Sequence, residues 1–257
     1  MGVVGAITPW NFPLVLSVAK LGAALLTGNC IIVKPSPFTP YTILKFAEIA
    51  QDVLPAGVFQ ALHGNEKIGP LMTEHPGIAK ISFTGSTSTG KQIMAAASKT
   101  LKSITLEMGG NSASIICPDV DVESVAAQVA LGSFFNSGQF CMASKRIYVH
   151  KDIYPQFLNA IAAVVQSWKV GPASEQGVML GPVQNEMQYN VVKSFFEDTA
   201  NNGYKFAIGG GLEGGQNYVI KPAIVDNPPD QSKIVTGEPF GKFSPSVIIQ
   251  SDILISS

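Results

Sequence analysis

The sequence predicts an α/β protein built from parallel β-α-β units in two successive series. Three observations carry this. Short β-branched runs alternate with longer amphipathic stretches along most of the chain. Hydrophobic residues make up 46% and charged residues 14% of 257, which supplies a buried core and excludes disorder as the main state. At roughly 150 residues per domain, that length admits one large domain or two modest ones, and Gly109-Gly110 separates one α/β series from the next. The expected domains are residues 1–109 and 110–257.

Each element follows from its pattern. Residues 3–7 and 30–33 are short, apolar and bounded by turn residues, so they read as buried strands. Residues 14–26 between them read as a helix. Residues 40–53 read as a second helix, with Ile43, Phe46, Ala47 and Ala50 on one face. Residues 58–62 and 78–83 are further strands, 87–99 a helix, and 104–106 and 112–116 strands. A helix capped by Asp119 or Asp121 runs to about Asn136. Residues 146–150 form a strand, and 153–168 and 184–201 form amphipathic helices. Residues 204–208 and 218–225 read as strands flanking a Gly-rich loop.

Composition excludes several classes. Lysine plus arginine number 17 against 18 acidic residues, a net charge of −1, so nothing points to nucleic acid or an anionic membrane. Three cysteines exclude a disulfide framework and suit a reducing compartment. No basic-then-apolar secretion signal opens the sequence, and Ala6 stands where myristoylation needs Ser or Thr. The longest apolar candidate, residues 12–33, is interrupted by Lys20, Gly22, Gly28 and Asn29, so no membrane span is expected. A soluble cytoplasmic protein is the expectation. Mean hydropathy is +0.25, high for such a protein, so apolar surface must be covered. His63, His75 and His150 are scattered, without metal-ligand or Cys–His spacing.

Two Gly-rich stretches need weighing. Gly85 to Lys91 matches G-x-x-x-x-G-K after a strand and before a helix, but Gln92 stands where a phosphate loop needs a magnesium-binding hydroxyl. A plain strand-to-helix turn, or a helix N-terminus and Ser86 receiving a dinucleotide pyrophosphate, fits better. Gly209 to Gly214 matches G-x-G-x-x-G, yet a strand is expected after it rather than a helix, so a hairpin loop is preferred.

Three single residues carry chemistry. Cys141 sits in a polar, Gly-containing turn, Gly138-Gln139-Phe140-Cys141, whereas Cys30 and Cys117 sit in apolar runs and read as buried structural thiols. An unperturbed thiol is only roughly 3% ionised at pH 7, so a nucleophile needs a base or a dipole nearby. Glu107 ends a strand before two glycines, which is either a solvated carboxylate or one at the ligand-binding edge of a sheet. Asn11, in Pro9-Trp10-Asn11-Phe12-Pro13, could cap the next helix or offer its amide to an oxyanion; on its own, capping is preferred. Phe134, Phe135, Phe140 and Met142 near the thiol read equally as an apolar pocket or as core.

Taken together, six motifs stand in one order: Thr8-Pro9-Trp10-Asn11-Phe12-Pro13, Lys34-Pro35-Ser36, Phe83-Thr84-Gly85-Ser86, Leu106-Glu107-Met108-Gly109-Gly110, Gly138-Gln139-Phe140-Cys141 and Glu238-Pro239-Phe240-Gly241. In that order the chain resembles the NAD(P)-dependent aldehyde dehydrogenase superfamily. The resemblance implies a parallel Rossmann-like cofactor-binding sheet plus a second α/β catalytic domain, both incomplete. It implies that Cys141 attacks an aldehyde, that the Asn11 amide and a backbone N–H hold the oxyanion, and that Glu107 activates water to release the acid. NAD or NADP would be the cofactor. Lys34 would contact the adenosine ribose, Ser86 the pyrophosphate, and Glu238 the nicotinamide ribose. Phe240 would pack by the nicotinamide, and Ile7, Thr8 and Trp10 would line the cleft. Ser36, Gly64, Phe83, Gly85, Met108 and Gln188 complete the expected cofactor-binding set, with Lys20 near the site.

Two departures qualify the resemblance. Pro37 replaces the Glu that grips ribose hydroxyls in strongly NAD-selective members, so a 2′-phosphate becomes acceptable. The chain is about half the family's usual length, and the resemblance is expected to cover residues 2–241 and to fail beyond them. A truncated enzyme is thus one reading, and an inactive dinucleotide-binding remnant the alternative. The family's homo-oligomer is doubtful without its contact arm.

Overall fold

The computed structural model describes residues 2–211 and 218–249. The chain divides into two compact units, Met1–Gly109 and Gly110–Ser257, each with its own five-stranded sheet.

The first unit runs β1 (Val3–Ile7), α1 (Pro13–Leu26), β2 (Cys30–Lys34), α2 (Tyr41–Ala50), β3 (Phe59–Ala61), α3 (Ile68–Glu74), β4 (Lys80–Thr84), α4 (Thr87–Ser98) and β5 (Ser103–Glu107). Strand order is β3-β2-β1-β4-β5, and all four pairings are parallel. The period of two sorts the side chains. Val4, Ala6, Ile31, Val33 and Phe59 pack under Leu21, Ala24, Ile43 and Ala47 of α1 and α2. Ile7, Ile81 and Phe83 face the other way, onto Met72 of α3 and Ile93 of α4. The chain reverses direction across the sheet between β1 and β4, and the carboxyl ends of these strands carry Ile7, Lys34, Thr84 and Glu107. An open parallel sheet binds its ligands at that edge and that crossover.

The second unit runs β6 (Ser112–Ile116), α5 (Val122–Phe134), a 3-10 turn (Phe135–Gly138), β7 (Ser144–His150), α6 (Tyr154–Gln166), α7 (Glu186–Asn201), β8 (Phe206–Ile208), β9 (Ala223–Asp226), α8 (Lys233–Thr236) and β10 (Phe243–Ile249). Strand order is β6-β7-β10-β9-β8, parallel except for the antiparallel β8–β9 pair. Ala126, Ala130 and Phe134 of α5 and Phe157 and Ile161 of α6 cover Ile147 and Val149. Phe195 and Phe196 of α7 pack with Ala223, Val225 and Ile234.

Several expectations are corrected. Helix α2 ends at Ala50, and residues 51–53 tighten into i→i+3 bonds before Pro55. Helix α3 was hidden by Gly69 and Pro70, but a proline in the first turn loses only an N–H that has no helical partner. Asp121, not Asp119, caps α5, with its carboxylate accepting the Ser124 N–H at 2.8 Å. That helix stops at Phe134, two residues early, because Asn136, Ser137 and Gly138 turn left-handed. The strand expected at 218–225 begins only at Ala223, and Tyr218 has a positive φ of 61°. Gly214 of the second Gly-rich match lies outside the described residues. Cys117 follows β6 and is exposed rather than buried, and Cys30 is half-buried. The chain past Gly241, where the resemblance was expected to fail, forms β10 between β7 and β9.

Candidate active site

The first unit offers a cleft where the sequence expects a dinucleotide. A cleft of about 430 Å³ runs between α3 and α4, walled by Pro70, Thr73, Thr89 and Ile93 and closed by Ile7, Lys34 and Pro37. Lys34 is buried at the end of β2, where its Nζ donates to the Pro35 carbonyl, and burial lowers its pKa. A partly desolvated ammonium on such a wall gains from any hydroxyl or anion that enters. Ser36 is buried beside it, its hydroxyl accepting the Phe38 N–H at 3.3 Å.

Ser86 caps α4 by accepting the Thr89 N–H at 3.2 Å, and the earlier N–H groups of the first turn have no acceptor within the helix. The phosphate-loop match now fails on geometry as well as on Gln92. Helix α4 begins at Thr87, so Gly90 and Lys91 lie inside it and no loop remains to wrap a phosphate. Gly90 is small for another reason: a Cβ there would stand 2.7 Å from the Met108 sulfur. Gly85 lies against the buried Phe83 ring in the same way. Gly64 has Ile68 folded over its Cα.

The other first-unit candidates gather at the same strand ends. Thr8 is buried, hydrogen-bonded to Ser17, and extends the β1–β2 pairing through its N–H to the Lys34 carbonyl. Trp10 and Asn11 follow in a half-buried bend. The cap position of α1 falls on Phe12, which makes no side-chain capping bond, so capping does not account for Asn11. Glu107 ends β5, exposed, opposite Thr84. Lys20 of α1 bonds the Ser82 hydroxyl at 3.1 Å. Burial lowers its pKa, Glu107 pulls it back up, and Lys80 lowers it further.

In the second unit the thiol stands at the amino edge of the sheet. Parallel pairing of β6, β7 and β10 lays side by side the three segments that lead into them. These carry Gly110, Cys141 and Glu238. The Gly110 N–H donates to the Glu238 carboxylate, and a Cβ on Gly110 would lie 2.5 Å from the Cys141 carbonyl oxygen. Cys141 and Glu238 are thus brought together across one glycine.

The turn before the thiol is strained. Asn136 and Ser137 hold φ values of 50° and 58°, and Phe240, beside Glu238, holds 48°. Such conformations cost about 1–3 kcal/mol each and persist where neighbours enforce them. Ser137 donates to the Gly181 carbonyl at 3.0 Å, and the Gln139 side chain accepts the Gln184 N–H at 2.8 Å. Gln188 Nε2 donates to the carbonyls of Pro239 and Phe240 at 2.9 and 3.1 Å, so its amide grips the Glu238 segment. Burial raises the pKa of Glu238, while the Gly110 N–H and Lys145 lower it. Glu238 Oε1 is buried and has no hydrogen-bond partner among the described residues. An orphaned carboxylate oxygen of this kind is what a ribose hydroxyl would satisfy, so the residues present fit a nicotinamide dinucleotide. Among the described residues, no cluster of His, Cys, Asp and Glu could hold a metal.

The aromatics beside the thiol divide. Phe134 is core, edge-on to Trp168, whereas Phe135 and Met142 are exposed and Phe135 meets Phe140 edge-on at 5.9 Å.

The profile of the aldehyde dehydrogenase family matches residues 1–251. The chain belongs to the aldehyde dehydrogenase family. The match extends ten residues past Gly241, in accord with β10. A putative aldehyde dehydrogenase of Gibberella moniliformis, FUS7, is 46% identical over 241 residues, which is 94% of this chain and 50% of that protein. Aldehyde dehydrogenase C of Pseudomonas syringae, solved with NAD+ and octanal, superposes with a TM-score of 0.93 at 31% identity, covering 97% of this chain and 53% of that one. An NADP-dependent enzyme of Escherichia coli superposes with a TM-score of 0.93 at 32% identity, covering 97% and 52%. The chain spans about half the length of the curated relatives it matches. No described helix is long and apolar enough to cross a membrane.

Sequence reasoning missed Lys145 and Lys242, two fully buried lysines at this edge. The signal was present for one of them: Lys145 alternates with Ile147 and Val149 on the inward face of β7.

Proposed function

We propose that this chain carries the dinucleotide-binding part (1–109) and the thiol-bearing part (110–257) of an NAD(P)-dependent aldehyde dehydrogenase, oxidising an aldehyde to a carboxylic acid. The observation that carries this reading is the orphaned Glu238 oxygen joined through Gly110 to the backbone of Cys141. When bound, the oxidised nicotinamide supplies a two-electron hydride acceptor.

The chain's own groups do the rest. Cys141 Sγ, as thiolate, forms a C–S bond to the aldehyde carbon, and the carbonyl oxygen takes up negative charge. The Asn11 amide and the Cys141 N–H donate to that oxygen. Loss of hydride from the same carbon leaves a thioester on Cys141. Glu107 takes a proton from water as the water attacks the thioester, and the thiolate leaves with the acid released. Lys34, Ser86 and Glu238 hold the cofactor at its two riboses and its pyrophosphate. Ile7, Thr8, Trp10 and Phe240 shape its cleft, and Gln188 holds the Glu238 segment in place.

The test is direct. The purified chain, given NAD+ or NADP+ and a panel of aldehydes, should generate absorbance of the reduced cofactor. Pro37 brings no charge to repel a 2′-phosphate, so kcat/KM for the two cofactors should agree within about 100-fold, or 2.7 kcal/mol. A larger preference for NAD+ would contradict that reading of Pro37. Because the chain spans half its relatives' length, a second reading is tested alongside: a cofactor-induced rise in Tm without turnover marks a binding remnant.

A further inference from the structure

Lys145 is 1% exposed, on the inward face of a strand where apolar side chains belong. An ammonium there has to find acceptors inside the protein. Its Nζ donates to the carbonyl of Gly138, three residues before the thiol, and at 3.4 Å to that of Gly241, three residues after Glu238. Glu238 is its charged neighbour. The two backbones it joins are in contact, since a Cβ on Gly138 would collide with the Gly241 carbonyl oxygen.

Other side chains tie one segment or the other to its surroundings. Ser137 and Gln139 fasten the thiol turn to residues 181–184, and Gln188 fastens residues 239–240 to α7. Lys145 bonds to both segments at once. We infer that Lys145 is a positioning residue that locks the turn presenting Cys141 to the segment carrying Glu238, so that thiol and carboxylate are held and released together. The inference rests on Cys141 being the nucleophile, and goes beyond it by naming what keeps the left-handed turn in place.

The experiment is alkylation of the whole chain by iodoacetamide at pH 7.5, read thiol by thiol by mass spectrometry. Lys145→Met keeps the length of the side chain and removes its donors. The turn then relaxes, the backbone no longer presents the sulfur, and Cys141 labels about five-fold more slowly or worse, while exposed Cys117 keeps its rate. Lys145→Arg, which retains donors and charge, restores part of the rate. An unchanged or faster Cys141, or an Arg variant no better than Met, overturns the proposal. If the variants do not fold, hydrogen exchange of the unaltered chain decides. Peptides over 135–143 and 236–242 should open with one rate, and independent opening overturns the lock. A Cys141 unreactive in the unaltered chain sinks the functional reading instead, which keeps the two failures apart.

Discussion

Cys141, Glu107 and Asn11 need different things from their surroundings, and each can be removed separately. Cys141 is half-buried in a turn closed by its neighbours' backbone, with the Gln139 N–H donating to the Asn136 carbonyl at 3.1 Å and the Ala143 N–H to the Phe140 carbonyl at 3.0 Å. Cys141→Ala therefore leaves the turn and the Glu238 oxygen in place. It should abolish turnover while the cofactor-induced rise in Tm persists, and loss of both together would mean that thiol and cofactor roles are not separable. Glu107 is exposed and supports no core, so Glu107→Gln should fold normally. Mixed with excess aldehyde and cofactor, it should give a burst of reduced cofactor followed by a slowed steady state, because in the proposed reaction C–S bond formation and hydride loss precede its step. Absence of the burst would remove Glu107 from the water-activating role. Gln188 acts at one remove, through two carbonyls of the Glu238 segment.

At the scale of elements, the two sheets present their candidate site residues at opposite ends of their strands. In the first unit they follow the strands: Ile7, Lys34, Thr84 and Glu107 are last residues of β1, β2, β4 and β5. In the second they precede the strands, because β6, β7 and β10 run parallel and their lead-in segments lie abreast. The first arrangement was legible, since a β-α-β pattern and strand-end motifs are local and periodic. The second was not, because Gly110, Cys141 and Glu238 are linked by strand pairings that span 32–33 residues (β6–β7) and 99 residues (β7–β10), and no local period reports which strands pair. Helix α3 was concealed by its own Gly69 and Pro70, and the end of α5 by left-handed residues that no pattern announces. Gly138 tests how tight that edge is. Gly138 and Gly177 have φ values of 73° and 78°, but only at Gly138 would a Cβ meet another backbone. Gly177→Ala should cost about 1 kcal/mol from conformation alone, and Gly138→Ala roughly 2–4 kcal/mol because Gly241 must also move. Denaturant melts measure both, and equal losses would show that the two backbones are not in contact.

Over the whole molecule, the amino edge of the second sheet holds its geometry at the expense of stability. Burial lowers the pKa of Lys145 and of Lys242 from 10.5 to about 8. Lys145 bonds two carbonyls, whereas the bond Lys242 makes among the described residues is to the Leu180 carbonyl at 3.4 Å. A folded-state pKa below the unfolded one means that the unfolded chain binds more protons between pH 8 and 10.5, so unfolding becomes harder as pH rises through that window. At neutral pH each lysine withholds roughly 3 kcal/mol that its neutral form would not. Replacing a weakly bonded buried charge with an apolar side chain of similar length removes this penalty. Lys242→Met should therefore raise stability by about 1–3 kcal/mol at pH 7. Its advantage over the unaltered chain should shrink as pH rises through the window from 8 to 10.5, because there the folded lysine has lost its proton while the unfolded one is still losing it, and the lysine is neutral in both states only above that window. Urea melts at pH 7, 8.5 and 10 read the difference. A variant less stable at pH 7, or an advantage that does not change with pH, would show that the Lys242 ammonium is held by more than the one carbonyl.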